Sequence, residues 1–514
     1  MNLTKATLLA ALSLPGLAGC HVALKPYRLN PFHPAIEVSP LPGDPAETNA
    51  TEQPVKDCVN ADTPICLAFI EVDDMGEPFN KVELDTALSL IRRANRIQDA
   101  NPIVITFVHG WKNNAGLGND NVRGFKAALR EVYQHFKKIN QPHHVIGIYI
   151  GWRGNLIHSY LPVAQQFSYF NREATAIRIP GATLSSALTQ IATRTHENRN
   201  ALAIFIGHSF GGLLLERALS EATASQISEA AIYSGDAKKA DPNSTEGKEE
   251  NTAARLAANA RADLVIFINP AGAAIEAKQM LDFLTSSQLR YQPLADPAEP
   301  ISNNPDMDRP LFVSLTSTAD LATKVALPIG HGLPFLGFKA SGSFRDLSQD
   351  PNRKYDLACF DPHKSHDQTW VWTTKEQGAV SQGSYYMSSA PHMQILQSHV
   401  MLKAVGANQM RVSSTGETIQ IKDPDAIAKC DRGLFNKQDL NIVSTFQLAD
   451  TKACFAVQER PGRCNGTPYW LMEIDPEVVP DHSTIFTQRF IYFIIDTFFA
   501  PNGKPLQRLS PQLR

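Results

Sequence analysis

The stretch Ala203 to Leu214, AIFIGHSFGGLL, constrains this chain more than any other. An apolar run, Leu202 to Ile206, reads as a buried strand. It passes through Gly207-His208-Ser209-Phe210-Gly211, a G-x-S-x-G pattern, into Leu213-Leu214-Leu215-Glu216-Arg217-Ala218, which reads as a helix. Strand, sharp turn and helix form the context in which this pentapeptide carries an activated serine. The glycines answer a steric demand. The serine sits at the tip of a strained turn, where flanking side chains would collide with the neighbouring strand and helix. The turn lifts Ser209 Oγ clear of the sheet and sets it at a helix N-terminus, where developing negative charge is favoured. The bland alternative is a glycine-rich turn with an idle serine.

The rest of the chain alternates in the same way. Strands are expected at Cys66 to Val72, Pro102 to Val108, Val145 to Ile150, Leu264 to Ile268, Pro310 to Leu315 and Tyr469 to Ile474. Helical spacing marks Leu84 to Ile97, Val122 to Ile139, Pro162 to Ile177, Ala182 to Thr195, Ile275 to Leu284 and Ile485 to Phe499, and the helix after Ser209 is expected to end near Ala222. Strands alternating with helices predict an α/β fold, a mostly parallel central sheet with helices on both faces. Gly235 to Asn251 reads as a charged surface loop. From about residue 337 to 466 the periodicity weakens, which reads as an insertion before the last strand.

The N-terminus carries one positive charge, at Lys5, then an apolar run from Ala6 to Leu14 and Leu17-Ala18-Gly19-Cys20. This order resembles the lipobox of bacterial lipoproteins, in which the cysteine is lipidated after cleavage before it. The resemblance implies a signal peptide over 1–19, a lipidated Cys20, and a periplasm-facing protein anchored to a membrane of the cell envelope. Residues 20–55 are rich in proline and read as a flexible tether, leaving 56–514 as the folded domain. Six cysteines remain: Cys58, Cys66, Cys359, Cys430, Cys454 and Cys464. On an exported chain an even number suggests disulfides, and short loops favour Cys58–Cys66 and Cys454–Cys464, leaving Cys359–Cys430. No C-x-x-C or H-x-x-x-H spacing supports a metal site, and no cofactor is expected. The net charge of -3 gives no nucleic-acid footprint. Outside the N-terminus no apolar run is long enough to suggest a spanning helix.

Four segments together resemble the α/β-hydrolase family of serine esterases and lipases: FVHGW at Phe107 to Trp111, GHSFGG at Gly207 to Gly212, TSTAD at Thr316 to Asp320 and PDHSTIF at Pro480 to Phe486. More narrowly, FVHGWKNNA, GWRG, INPA and STADLATK resemble an uncharacterised group of bacterial serine hydrolases, which implies fold and chemistry but no substrate. The resemblance implies that His109-Gly110 supports an oxyanion hole built from the Trp111 and Phe210 backbone N–H groups. It also implies the chain order Ser, acid, His. Asp320 closes the strand after Asn269-Pro270 and is the expected acid; a helix N-cap is its structural alternative, and Asp236 a weaker rival. His482 lies between the last strand and the last helix and is the expected base. His392 and His399 fall inside the insertion, and His143, His144 and His331 carry no motif. Trp152 and Arg153 are candidates for lining the cleft or for packing, and Leu327 to Leu336 for an apolar wall or lid.

The expectation is a membrane-anchored serine hydrolase acting on small-molecule or lipid esters through Ser209, His482 and Asp320. The same triad would serve thioester or amide hydrolysis. The rival from another class is a non-catalytic envelope lipoprotein on a hydrolase fold.

Overall fold

Unbroken apolar runs build the sheet. In the computed structural model every residue of β2 (Ile65–Glu71), β3 (Ile103–Val108, IVITFV) and β4 (Val145–Gly151) is buried, and β5 (Leu202–His208) is buried at all but Ile206. A strand that shows no alternation of buried and exposed residues must be covered on both faces, the condition of a parallel sheet. The structure describes residues 26–27, 36–38, 65–97, 101–116, 118–139, 143–154, 171–239, 245, 260–272, 280, 283–284, 289–293, 310–317, 319–320, 478–499 and 509–513, with short strands between 373 and 474. Cys20, Cys58, Cys359, Cys430 and Cys464, residues 162–170 and 327–338, His392 and His399 lie outside them, as does most of 275–284.

The chain divides into two units. The first comprises Met1–Tyr133, Pro142–Thr223 and Asn259–Arg261. Its strands run β2, β4, β3, β5, all parallel and in even register: Ile65 opposite Val145, Ile103 opposite Val145, Ile103 opposite Leu202. Between them come α1 (Lys81–Asn95), α2 (Asp120–Lys138), α3 (171–178) and α4 (Ala182–Thr195). Asn80 caps α1 by accepting the Val82 N–H, and Ala87, Leu88, Leu90, Ile91 and Ala94 bury its inner stripe. The tight spot lies at Gly147 in β4. A Cβ there would come within 2.4 Å of Leu129 Cδ1 on α2, so the glycine leaves room for that side chain to pack on the strand. Cys66, buried in β2, is disulfide-bonded.

The segment Ile36–Val38 and the helix after Ser209 both depart from the sequence-based expectation. Within the stretch read as a tether, β1 (Ile36–Val38) pairs antiparallel with β2, Ile36 opposite Ala68. The prolines flank this triplet rather than interrupt it, so three ladder-competent residues remain. The helix after Ser209, α5, runs Phe210–Lys239, well past Ala222 and through Gly235 and Asp236. Its second half, ATASQISEAAIYSGDAKK, is rich in helix formers and meets no proline until Pro242. Asp236 therefore sits in a helix, not at the opening of a loop.

The second unit comprises Gln134–Gln141, Ala224–Ala258 and Ala262–Arg514. Its strands β6 (Leu264–Ile268), β8 (Phe312–Ser317) and Tyr469–Ile474 are parallel neighbours. Met393–Gln397 runs parallel to Tyr469–Ile474, followed by the antiparallel strands Cys454–Glu459 and Asn441–Gln447. The stretch between 337 and 466 thus contributes strands of its own. β7 (Leu289–Pro293) pairs with Leu509–Leu513. The last helix, α6 (Gln488–Ile494), starts later than its apolar pattern suggests, because Thr487 accepts the Phe490 N–H as N-cap. It ends in a π-helical turn, Ile495–Phe499. Both units are α/β structure with parallel strands.

Candidate active site

In open α/β sheets the working loops leave the carboxyl ends of the strands, where backbone groups are not consumed by the ladder. In the first unit β5 ends at His208 and α5 begins at once. Ser209 stands between them at φ 55°, and its carbonyl accepts the N–H groups of Gly212 and Leu213 at 2.9 and 3.2 Å. A left-handed serine costs about 1–2 kcal/mol, so the turn is held by its surroundings. Two glycines make it possible. A Cβ on Gly207 would lie 2.6 Å from the Gly211 carbonyl oxygen, and one on Gly211 would lie 2.2 Å from that of Val108.

The loop leaving β3 packs against this turn. A Cβ on Gly110 would meet Ser209 Cβ at 2.7 Å and the His208 carbonyl oxygen at 2.9 Å, so the HG pair lies directly against the serine. His109 orients the loop. It is fully buried and stacked between Trp152, with ring planes 7° apart, and Tyr149. Its Nε2 accepts the Trp152 backbone N–H at 3.1 Å, while Nδ1 faces the Gly110 carbonyl oxygen at 2.9 Å. One nitrogen must accept and the other must donate, so His109 is the neutral Nδ1–H tautomer. Burial drives its pKa down to about 4, against the opposing hydrogen bonds to Gly110 and Trp152. The Trp152 indole N–H closes the arrangement on the His109 carbonyl oxygen at 2.7 Å. Trp152 is therefore a packing residue. Lys112, at φ 67°, donates its N–H to the Gly154 carbonyl oxygen, and its ammonium lies 4.3 Å from the Trp111 ring centroid. His143, at the foot of β4, lies 2.5 Å from the Asn101 carbonyl oxygen through Nδ1; burial lowers the pKa of both it and His144.

The second unit brings Asp320 and His482 together. His482 Nδ1 lies 2.9 Å from Asp320 Oδ2; the carboxylate side chain is fully buried and the imidazole about one-fifth exposed. A carboxylate only accepts, so the ring proton facing Asp320 sits on His482 Nδ1. Asp320 closes a turn at the end of β8 by donating its N–H to the Ser317 carbonyl oxygen at 3.1 Å. Asp481 does different work. Its carboxylate accepts the Ser483 and Thr484 N–H groups and the Thr484 hydroxyl. Partial burial pushes its pKa up, but these hydrogen bonds and the nearby His482 outweigh it and hold the group below the usual carboxylate range.

Sequence reasoning passed over the residue that fastens the His482 loop. Asn269, buried at φ 43°, donates from Nδ2 to the carbonyl oxygens of Asp481 and His482 at 3.3 and 3.1 Å. Its Oδ1 accepts the Ser317 N–H at 2.9 Å. One amide thus ties the ends of β6 and β8 to the loop bearing His482. Ser317 adds a second tie, its hydroxyl donating to the Val479 carbonyl oxygen at 2.6 Å. Asn269-Pro270 was visible only as a strand end; asparagine's tolerance of the left-handed region was the available signal. Among the described residues no group of three His, Cys, Asp or Glu side chains could hold a metal ion, and no helix is long and apolar enough to cross a membrane.

No protein-family model matches the chain, and no curated protein does. Among solved structures, one described as the crystal structure of an uncharacterized protein from Pseudomonas aeruginosa is similar at 10% identity. It covers 50% of this chain and 42% of that one at a TM-score of 0.16. The chain thus spans less than half the length of that protein, and so slight a likeness carries no argument.

Proposed function

We propose that this chain is a serine hydrolase of the α/β-hydrolase kind that cleaves carboxylic esters. The observation that carries the reading is the buried Asp320 carboxylate on His482 Nδ1. It joins residues 162 positions apart in a loop held by Asn269 and Ser317. A structural histidine rarely needs a fully buried carboxylate and a fastened loop; a general base needs both, to fix its tautomer and stabilise the imidazolium. Ser209, strained and set at the start of α5, supplies the nucleophile.

In this reading Ser209 Oγ attacks the ester carbonyl carbon and its proton passes to His482 Nε2. Asp320 stabilises the imidazolium without itself taking the proton. The carbonyl oxygen becomes negative and is received by the Trp111 and Phe210 backbone N–H groups, which His109 and Gly110 pre-position. Collapse expels the alcohol, which takes the proton from His482, and leaves an acyl group on Ser209. Water, deprotonated by His482, then releases the acid and restores the serine. Thioesters and amides fit the same steps, with a thiol or an amine leaving in place of the alcohol. A fluorophosphonate probe tests the reading. We expect covalent mass on the peptide carrying Ser209, absent in Ser209→Ala; an unlabelled native protein would contradict it.

We propose further that Cys20 carries the lipid anchor of an envelope lipoprotein, on the strength of Leu17-Ala18-Gly19-Cys20. Labelled palmitate should enter the native chain and not Cys20→Ser; equal labelling, or none in either, would refute it.

A further inference from the structure

The first unit fastens Tyr27, in its N-terminal segment, at the carboxyl ends of β2 and β4. The Tyr27 backbone N–H donates to Glu71 Oε2 at 2.8 Å, at the carboxyl end of β2. Its ring lies under the Arg153 guanidinium, 4.6 Å from Cζ, just past the end of β4. An ideal Cβ on Gly116, in the loop that carries Trp111, would stand 3.9 Å from Tyr27 Cδ1. Glu71 and Arg153 are both buried, so Tyr27 is fastened to fixed groups. Cys20 precedes Tyr27 by seven residues, which span at most about 25 Å when fully extended. A lipid on Cys20 would therefore hold this end of the strands near the bilayer surface, the reverse of a long tether.

The same end presents groups suited to that surface. Met75, in the turn after β2, is 59% exposed, and Ile177 on α3 is 43% exposed. Arg178, next to Ile177 on α3, reaches Met75 Sδ at 3.8 Å and sets a cation against that apolar side chain. The Arg172 guanidinium holds the two segments together with both nitrogens on the Asp74 carboxylate, at 2.9 and 2.8 Å, and on the Arg153 carbonyl oxygen at 2.8 Å. Beyond them stand the exposed Lys112 and the half-buried Trp111. Apolar tips, a tryptophan and cations are what a bilayer interface with acidic headgroups binds.

We propose that the carboxyl-end face of the first unit, marked by Met75, Ile177, Arg178 and Lys112, lies on the lipid surface, and that the esters hydrolysed at Ser209 are those of membrane lipids. The occupant of this face is the bilayer, because the anchor's reach brings it there. The substrate part rests on the hydrolase reading above; the surface part rests instead on the Cys20 anchor proposed there.

Two measurements test it. The unacylated Cys20→Ser chain should float with vesicles of equal parts phosphatidylcholine and phosphatidylglycerol. Adding Met75→Asp and Ile177→Asp should cut the floated fraction at least about fivefold, with circular dichroism unchanged. Equal flotation of the two proteins, at any level, overturns the surface. Separately, a long Gly/Ser insertion after Ala23 in the acylated chain should lower turnover of a vesicle-borne long-chain ester about tenfold and leave a soluble butyrate ester unaffected. If both rates fall together, or neither falls, the substrate assignment is overturned. Failure of the hydrolase reading looks different: no fluorophosphonate labelling and no turnover of either ester, with flotation still reporting on the face.

Discussion

Two single residues set the chemistry of the serine turn and its supporting loop. Gly110 is defined by what it lacks, since any Cβ would push into Ser209 and the His208 carbonyl. His109 is defined by its neutrality. Its folded pKa of about 4 lies below the ordinary 6.5, because burial penalises the charged ring. The unfolded chain therefore binds more protons between these values, and the stability that neutral His109 contributes is lost as pH falls from about 6.5 to about 4. The full amount is about 3 kcal/mol. His135, His143 and His144 are shifted downward too, chiefly by burial, and act in the same direction. Thermal unfolding from pH 7 to pH 4.5 should show the midpoint falling. In His109→Asn, which keeps a donor to Gly110 but cannot charge, that fall should be shallower; an identical slope would mean that His109 is not buried neutral. The strained turn at Ser209 was legible from its flanking glycines together with the apolar strand before it and the helix after it, because all three are read locally.

At the scale of elements the strands were the most legible, β6 and Tyr469–Ile474 to the residue; β6, buried along its whole length, is apolar throughout, as a strand covered on both faces must be. Helix ends were less so. α5 overran its expected end since nothing in Ala224–Lys239 stops a helix, and α6 started late because Thr487, not the first apolar residue, forms the cap. What holds the elements to one another was not legible. Asn269 acts across 212 and 213 positions of sequence on carbonyls that have no side-chain signature. Its replacement by alanine leaves the Ser317 N–H and the two loop carbonyls to find other partners, a cost of about 1–3 kcal/mol. Because Asn269 holds the His482 loop through its backbone carbonyls, Asn269→Ala should lower kcat at least tenfold with KM nearly unchanged. Asn269→Asp, which keeps the acceptor for Ser317 and loses the donor, should not rescue it. A change confined to KM, or full rescue by Asp, would contradict that role.

For the whole molecule, the parallel strands that both units share, and the helices between them, follow from the alternation of apolar runs and amphipathic stretches. The pairing of Asp320 with His482 was expected from chain order. The docking of Tyr27 and the pairing of β1 were hidden, since a proline-rich segment reads as loose unless the groups that receive it are known. Glu71 and Arg153 receive it here, and they are recognisable only once β2 and β4 are side by side. The central claim is that Ser209 and His482 work as one catalytic group. Turnover of a soluble short-chain ester, measured for Ser209→Ala, His482→Ala and the double variant, tests it most directly. Groups that act together are not additive, so each single change should lower kcat by several orders of magnitude and the double should lose little more. Near-native turnover in His482→Ala, or losses that multiply in the double variant, would contradict the account.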